Sequence, residues 1–408
     1  MKRSVSLLLA CLWALAAALL PGSAAAGRES LTIGVTQFPS TFHPSIDSLV
    51  AKHFILGMTN RPFTTYDASW NLVCLLCTQL PTLENGGAVL ETLPGGKKGI
   101  AVTYTIQPKA TWADGVPVTT EDVRFTWNVG RHPQSGFSSG ELYRRIVAID
   151  VRDDKTFTLH FDRVTFDYNA IDDFALLPAH LEQGAFADPL GYRDRTRYDA
   201  ETTNPGLYNG PYRIVEVKRG DHVVLEPNPH WWGEKPHFAR IVVKVVENGT
   251  ALEGNLLSGS IDYIAGELGL TIDQALLFER RATGRFTVLY KPGLSFEHID
   301  VNLTNPALAD VKVRQALLLA LDRRILNDRL FGGRQPIADT AVNPMDWVYA
   351  DDVAKYPHDP ARAAKLLDEA GWRNTTGGLR RNSSGRLDSL AGECKSPIEG
   401  GLLDGMNN

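Results

Sequence analysis

The chain has 408 residues, 43% of them hydrophobic and 22% charged, which sets an expectation of two or three domains with sizeable cores. A net charge of -5 and a pI of about 6.1 exclude a strongly basic surface. Nucleic acid is therefore not expected as a partner, and nothing draws the chain to anionic membranes.

Met1, Lys2 and Arg3 open the chain with positive charge. An apolar run follows to Leu20, is broken by Pro21 and Gly22, and leads into Ser23-Ala24-Ala25-Ala26. That order predicts a secretory signal peptide over residues 1–26, cleaved after Ala26. The alternative is an uncleaved anchor, against which the shortness of the apolar run argues. Cys11 sits inside the run with too little of it ahead to make a lipoprotein signal. No later segment has the apolar length to span a bilayer, so the mature chain is expected to be exported and soluble. Cleavage leaves Cys74, Cys77 and Cys394, an odd number, so at least one lacks an intramolecular partner. The sequons at Asn248, Asn302, Asn374 and Asn382 matter only on a eukaryotic secretory route.

Leu31 to Val35 alternates apolar with small or polar residues and predicts a first strand. Ile100 to Gln107 is β-branched and aromatic and predicts another. Thr119 and Asp122 have the spacing of a capping box, with Val123, Thr126 and Trp127 along one helical face beyond it. Two hairpins follow, Val147–Val151 with Thr156–Phe161 and Tyr212–Val217 with Val223–Leu225. Ile241 to Val246 is nearly all apolar, which suits a strand covered on both faces. A strand is also expected at His298 to Leu303. Asp310 is a helix cap, with Val313, Ala316, Leu317, Ala320 and Leu321 on one face and Gly332-Gly333 as the end. Asp359 caps a second helix with Pro360 in its first turn, Ala363, Leu366, Leu367 and Ala370 inward, and Gly371 as its stop. From Asn374 onward the chain is rich in Gly, Ser, Asn and Arg without a sustained period, and a disordered tail is expected over 374–408.

Candidates for chemistry are few. Cys74-Leu75-Leu76-Cys77 has redox-motif spacing, but its flanks read as strand and loop, with no helix start to depress a thiol pKa. A structural disulfide or an inert buried pair is the expectation, and a metal knuckle would need two further ligands at matched spacing. The histidines are scattered and form no H-E-x-x-H. Gly95-Gly96-Lys97-Lys98-Gly99 lacks P-loop spacing and reads as a loop. Glu121 and Asp122 are accounted for by the helix cap. No catalytic motif is present, and an enzyme is not expected.

Five stretches, in order, give the chain a family resemblance. They are Trp112-Ala113-Asp114-Gly115-Val116-Pro117 running on to Glu121-Asp122-Val123; Asn209-Gly210-Pro211-Tyr212 with Leu225 through Asn228-Pro229-His230-Trp231-Trp232-Gly233 to Pro236; Leu257 to Asp262; Asp310 to Ala316 with Ala320-Leu321-Asp322-Arg323; and Asp359-Pro360 through Gly371-Trp372. Together they resemble the extracellular solute-binding proteins of family 5, which serve oligopeptide, dipeptide and nickel ABC importers. The segments also have plain structural uses as turns, caps and strand ends, so they are read as scaffold and their tryptophans as core.

The resemblance implies an α/β, bilobal periplasmic-binding-protein fold of class II type with an extra domain. Domain I would take residues 27–58 and 193–290, domain II 59–192, and a partial domain III 291–373. Family members continue well beyond Trp372, so the second lobe is expected to be incomplete, by truncation or frameshift. The implied function is a periplasmic binder that closes an interlobe cleft on a peptide or related small solute and delivers it to an ABC permease in the inner membrane. It would act as a monomer without a cofactor or metal; nickel rests on fold analogy alone. Positional matching puts ligand contacts at Ser48, Leu49 and Val50, at Phe137 and Tyr143, and at Ser295, Phe296 and His298. The acid that receives a peptide amino terminus in oligopeptide binders would fall beyond Trp372. The competing readings are a non-functional fragment of such a binder and a redox or metal protein using Cys74 and Cys77.

Overall fold

The computed structural model describes residues 29–291, 293, 296–374 and 380–382. The expected signal peptide, Ser295, Cys394 and most of the expected tail lie outside the described residues. The chain divides into two compact units between Thr271 and Ile272.

The first unit opens with β1 (Ser30–Val35), α1 (Val50–Thr59) and a short hairpin of β2 (Thr64–Tyr66) and β3 (Leu72–Cys74). Next come β4 (Ala88–Thr92), β5 (Lys98–Thr105), α2 (Thr120–Gly130), β6 (Ile146–Val151) and β7 (Thr156–Phe161). After short helical turns the chain forms β8 (Tyr212–Lys218), β9 (His222–Pro227), β10 (Arg240–Val245), α3 (Gly249–Ser258) and β11 (Tyr263–Ile264). A five-stranded sheet has the order β11-β1-β10-β9-β8, and a four-stranded sheet the order β4-β5-β7-β6. In the first, β1 runs parallel to β10 and β11 while the β8-β9-β10 meander is antiparallel. The second is antiparallel throughout. Because the five-stranded sheet draws strands from both sides of the segment carrying the four-stranded one, the latter is topologically an insertion.

Local chemistry explains these elements. Both expected hairpins form at the anticipated places, and Gly95 and Gly96, at φ +86° and +81°, make the turn between β4 and β5. In β10, Ile241 and Val243 are buried on one face and Val242 and Lys244 half-buried on the other, with a strand paired on each side. Gly34 in β1 lets α3 approach, since a Cβ there would lie 2.6 Å from the side chains of Leu252 and Ile261. The capping box of α2 is closed: Thr119 accepts from the Glu121 amide at 3.3 Å, and Asp122 from the Thr119 amide at 2.9 Å. Asp122 does more than cap. Its buried carboxylate also accepts from Trp112 Nε1 at 3.2 Å and the Ala179 amide at 2.9 Å, and burial raises its pKa. Beyond the cap, α2 divides its side chains between two cores. Val123 joins the one over the four-stranded sheet, with Trp112, Tyr104 and Phe157, and Phe125 and Val129 join the one beside the five-stranded sheet, with Val35, Ile55 and Leu225.

The second unit contains α4 (Ile272–Arg281), α5 (Val311–Ala320), α6 (Arg323–Phe331) and α7 (Pro360–Glu369). A two-stranded ladder joins β12 (Arg373–Asn374) to β13 (Arg380–Arg381). Helix α4 packs with α6, and Glu279 pairs with Arg334 at 3.0 Å. The expected limit at 290/291 lies within this second unit.

Three expectations about local structure change here. The helix expected to run from Asp310 to Gly332 breaks at Leu321, because the Asp322 carboxylate turns to accept from the amides of Arg324 and Ile325, both at 3.1 Å, and caps α6. The buried face of α5 is consequently Val313, Ala316 and Leu319, while Leu317 and Leu321 are exposed. His298 to Leu303 is not a strand: no described strand lies beside it to complete a ladder, and Ile299 is 75% exposed. Finally, Asn374 and Arg380, both within the expected tail, pair in the antiparallel ladder of β12 and β13. One core cluster of this unit, among the described residues, has Ala316, Leu319 and Ala363 at its centre against Tyr356, Leu366 and Leu367.

Candidate functional site

The end of α1 is fixed by the Asn209-Gly210-Pro211-Tyr212 segment. Gly210 lies against the backbone of Thr59 and Asn60, where an added Cβ would sit 2.5 Å from the Thr59 carbonyl carbon. Its amide donates to Thr59 O at 2.7 Å, and Asn209 Oδ1 accepts from the Arg61 amide at 2.9 Å. Asn228 holds this segment from behind: its side-chain amide donates to Gly210 O at 2.9 Å and its backbone amide to Pro211 O at 2.8 Å. The Arg61 guanidinium donates to Gly57 O and Asn60 O, both at 2.9 Å, and lies 5.2 Å from the Trp231 ring centroid. The two parts of one motif stretch read as scaffold, residues 209–212 and 225–236, therefore meet at one place and shape it.

The loop ahead of α1 is anchored from below. Asp199 accepts from the Thr41 hydroxyl at 2.5 Å and the Phe42 amide at 3.0 Å. Lys52 is fully buried, and its ammonium donates to the carbonyls of His43 (2.9 Å), Ile46 (2.6 Å) and Asp47 (2.5 Å). Burial pushes the Lys52 pKa down to about 8, with Asp47 and Asp199 opposing. Asp47 adopts φ +57°, and Arg193 donates to its carboxylate at 2.7 Å. His43 is fully buried with both ring nitrogens engaged. Nδ1 accepts from the amides of Ser45 (3.1 Å) and Ile46 (3.2 Å), which places the proton on Nε2, 3.0 Å from the Tyr192 hydroxyl. Tyr192 in turn donates to Glu182 at 2.6 Å. Burial, with the Lys52 charge adding, holds the His43 pKa well below its ordinary value.

This loop meets a loop of the inserted segment. Ile46 bridges Phe137, and Ser138 donates to Ser45 O from its amide at 3.0 Å and its hydroxyl at 3.2 Å. Beside the junction is a cavity of about 260 Å³, with Leu56 and Leu176 in its lining. Ser45, Ser48, His53, Asn60 and Arg61 line it from α1 and its flanking loops. The inserted segment contributes Ser138, Ser139, Asp172 and Asp173. Burial lowers the His53 pKa, with Lys52 adding and Asp173 opposing. Asp172 remains reachable by solvent, yet desolvation by the surrounding protein raises its pKa, and the Asp173 and Asp167 carboxylates add to the rise.

Of the residues expected from sequence, Ser48 lines this cavity. Leu49 is the N-cap of α1 and Val50, 48% exposed, its first residue; neither is among the lining residues. Phe137 packs edge-on against His43 and Tyr143 at 5.5 and 5.4 Å, between the two cores. Tyr143 is buried and is not among the lining residues: its ring completes a core, and its hydroxyl donates to Asp173 O at 3.1 Å. Phe296 and His298 lie in the second unit, exposed, with ring centroids 4.8 Å apart. Cys74 and Cys77 form a disulfide, Cys74 ending β3 and Cys77 buried and bridged to Ile106. Among the described residues no group of three His, Cys, Asp or Glu side chains is arranged to hold a metal ion.

Sequence reasoning missed His53, Asn60, Arg61 and the Asp172-Asp173 pair. Only the doubled carboxylate was a visible signal, and nothing local tied it to α1.

The family model for bacterial extracellular solute-binding proteins, family 5 Middle, matches residues 97–396. The oligopeptide-binding protein AppA of Bacillus subtilis is 25% identical over 326 residues, covering 78% of this chain and 58% of that protein. The oligopeptide-binding protein of Thermus thermophilus, solved with a pentapeptide, superposes with a TM-score of 0.62 at 28% identity, covering 88% of this chain and 66% of that one. The solved B. subtilis AppA, in complex with a nonapeptide, gives 0.61 at 24% identity and shares the fold, covering 88% of this chain and 67% of that one. The chain thus spans somewhat over half the length of the B. subtilis relative. With the family model matched across 300 consecutive positions (97 to 396), and its fold shared by solved members, the chain belongs to the bacterial extracellular solute-binding proteins of family 5.

Proposed function

We propose that this protein binds a peptide or related small solute outside the cytoplasmic membrane and delivers it to an ABC permease. The observation that carries the reading is the family match over residues 97–396, and the polar cavity of the first unit supports it. The relatives named above are oligopeptide binders, one of them solved around a pentapeptide. On this reading the chain is a binder rather than an enzyme, exported by a signal peptide cleaved after Ala26 and acting as a monomer in the periplasm.

The residue roles follow the same reading. Ser48 contacts the ligand directly. Leu49, Val50, Phe137, Tyr143, Ser295, Phe296 and His298 are the further ligand contacts on this reading. Residues 27–58 and 193–290 form domain I, 59–192 domain II, and 291–373 a partial domain III.

The test is calorimetric titration of the chain from Gly27 with a mixture of tri- to pentapeptides, alongside tryptophan fluorescence. Saturable heat and a spectral shift are expected. A folded chain that gives neither with any peptide refutes the reading.

A further inference from the structure

We infer that the cavity of the first unit receives a cationic group, the ammonium or guanidinium of a basic peptide side chain. This rests on the peptide-binding reading and adds a sign of charge to it. The cavity itself makes the place a site, and its lining residues decide the chemistry.

Its volume of about 260 Å³ falls just under the range of about 300–1,000 Å³ for pockets that take a whole small molecule. It suits one side chain of a larger ligand. Its walls are held before any ligand arrives: Lys52 and His43 fix the loop carrying Ser45 and Ser48, and Gly210 and Asn209 fix Asn60 and Arg61. A wall held this way loses little freedom on binding.

The charges on those walls do not balance. Asp172 and Asp173 are adjacent carboxylates, and among the described residues neither forms an ion pair. Their mutual repulsion, with Asp167 near, is a standing cost that a cation would relieve. The one cationic side chain of the lining, Arg61, carries a single charge against two, and its Nη1 is committed to Gly57 O and Asn60 O with the guanidinium against Trp231. His53 adds little positive charge, since burial and the neighbouring Lys52 lower its pKa, with Asp173 opposing. The remaining polar lining includes the hydroxyls of Ser48, Ser138 and Ser139, whose oxygens can accept from an ammonium or guanidinium. An anionic side chain would meet the two carboxylates of Asp172 and Asp173 against the single guanidinium of Arg61. A neutral apolar one would strip water from both.

The experiment compares two tripeptides on the chain from Gly27 at pH 7.5 and low salt. One is alanyl-lysyl-alanine; the other carries norleucine in place of lysine, keeping the stem without the ammonium. The lysine peptide should bind at least tenfold tighter. In the double variant Asp172→Asn, Asp173→Asn that ratio should fall to twofold or less, and in Asp150→Asn, an exposed carboxylate on β6, it should stay at the parent value. Equal binding of the two peptides, or a ratio that survives in the double variant, overturns the inference while leaving the peptide-binding reading intact. A second probe, butylammonium followed by NMR, does not depend on peptide binding. Saturable shifts at Ser138, Asp172 and Asp173 that vanish in the double variant support the inference even where no tripeptide binds, and then the peptide reading is what fails. Absence of those shifts in the parent chain overturns it.

Discussion

Replacing Lys52 by methionine removes a buried ammonium while nearly preserving side-chain volume. The three carbonyls it serves, those of His43, Ile46 and Asp47, would then lose donors at 2.9, 2.6 and 2.5 Å. A hydrogen bond from a charged donor contributes about 1.5–3 kcal/mol net, and stripping its partner leaves a buried acceptor unsatisfied. Against this stands the burial of the charge, which pulls the Lys52 pKa from 10.5 to about 8. The losses outnumber the gain, as they do when one partner of a buried charged contact is deleted at a cost of about 3–5 kcal/mol. We expect Lys52→Met to lose about 3 kcal/mol, the low end because the charge is itself expensive to bury. That corresponds to a fall of roughly 6–12 °C in melting temperature for a unit of this size. Urea denaturation of the parent and variant, with Lys97→Met as the control, measures it. Lys97 pairs with Asp162 at the surface with its own side chain 59% exposed, and its loss should cost under about 1 kcal/mol. A Lys52→Met protein as stable as the parent would refute the argument that the ammonium organises this loop.

Four other outcomes are expected. Because His43 has a depressed pKa in the fold, the unfolded chain takes up its proton first as pH falls below 6.5; the stability it contributes above that pH is lost at up to about 1.4 kcal/mol per unit, and His43→Gln should flatten the slope measured between pH 6.5 and 5.5. Gly210→Ala places a methyl 2.5 Å from the Thr59 carbonyl carbon and should cost about 1–3 kcal/mol, with NMR shifts at Asn60 and Arg61; an unchanged urea midpoint would contradict the close approach. The double change Cys74→Ser, Cys77→Ser opens a very short loop and should cost about 2 kcal/mol without altering peptide affinity; altered affinity at unchanged stability would reveal a functional role for the pair. Amides of α5 and α7, packed over the cluster of Ala316, Leu319 and Ala363, should exchange faster than those of β5 and β7 over the larger cluster of Tyr104, Phe157 and Leu159, and equal protection would contradict that ordering.

What could be read from the sequence was what short-range chemistry determines. The α2 capping box, both hairpins and the Asp359-Pro360 helix start depend on residues a few positions apart. The break at Leu321 was hidden because Asp322 serves equally well inside an apolar-faced helix or at the start of a new one, and only tertiary packing chooses. The strand expected at His298 failed for a related reason: alternation proposes a face, but a strand needs a neighbour. The cavity was out of reach altogether, since it joins His53 to Asp172 across more than a hundred residues. Lys52 was least legible of all, because lysine is ordinarily a surface residue and its burial depends on three carbonyls that no side-chain pattern announces.

The division of α2 between two cores has a mechanical consequence. Val123 belongs to one hydrophobic cluster and Phe125 and Val129 to the other, so neither sheet can swing away from the other without pulling the helix out of one of them. The inserted sheet is therefore less a hinged flap than a lever arm cast in one piece with its base. Its tip can travel only as far as its base rotates, and a substitution on α2 is felt at both ends of the arm.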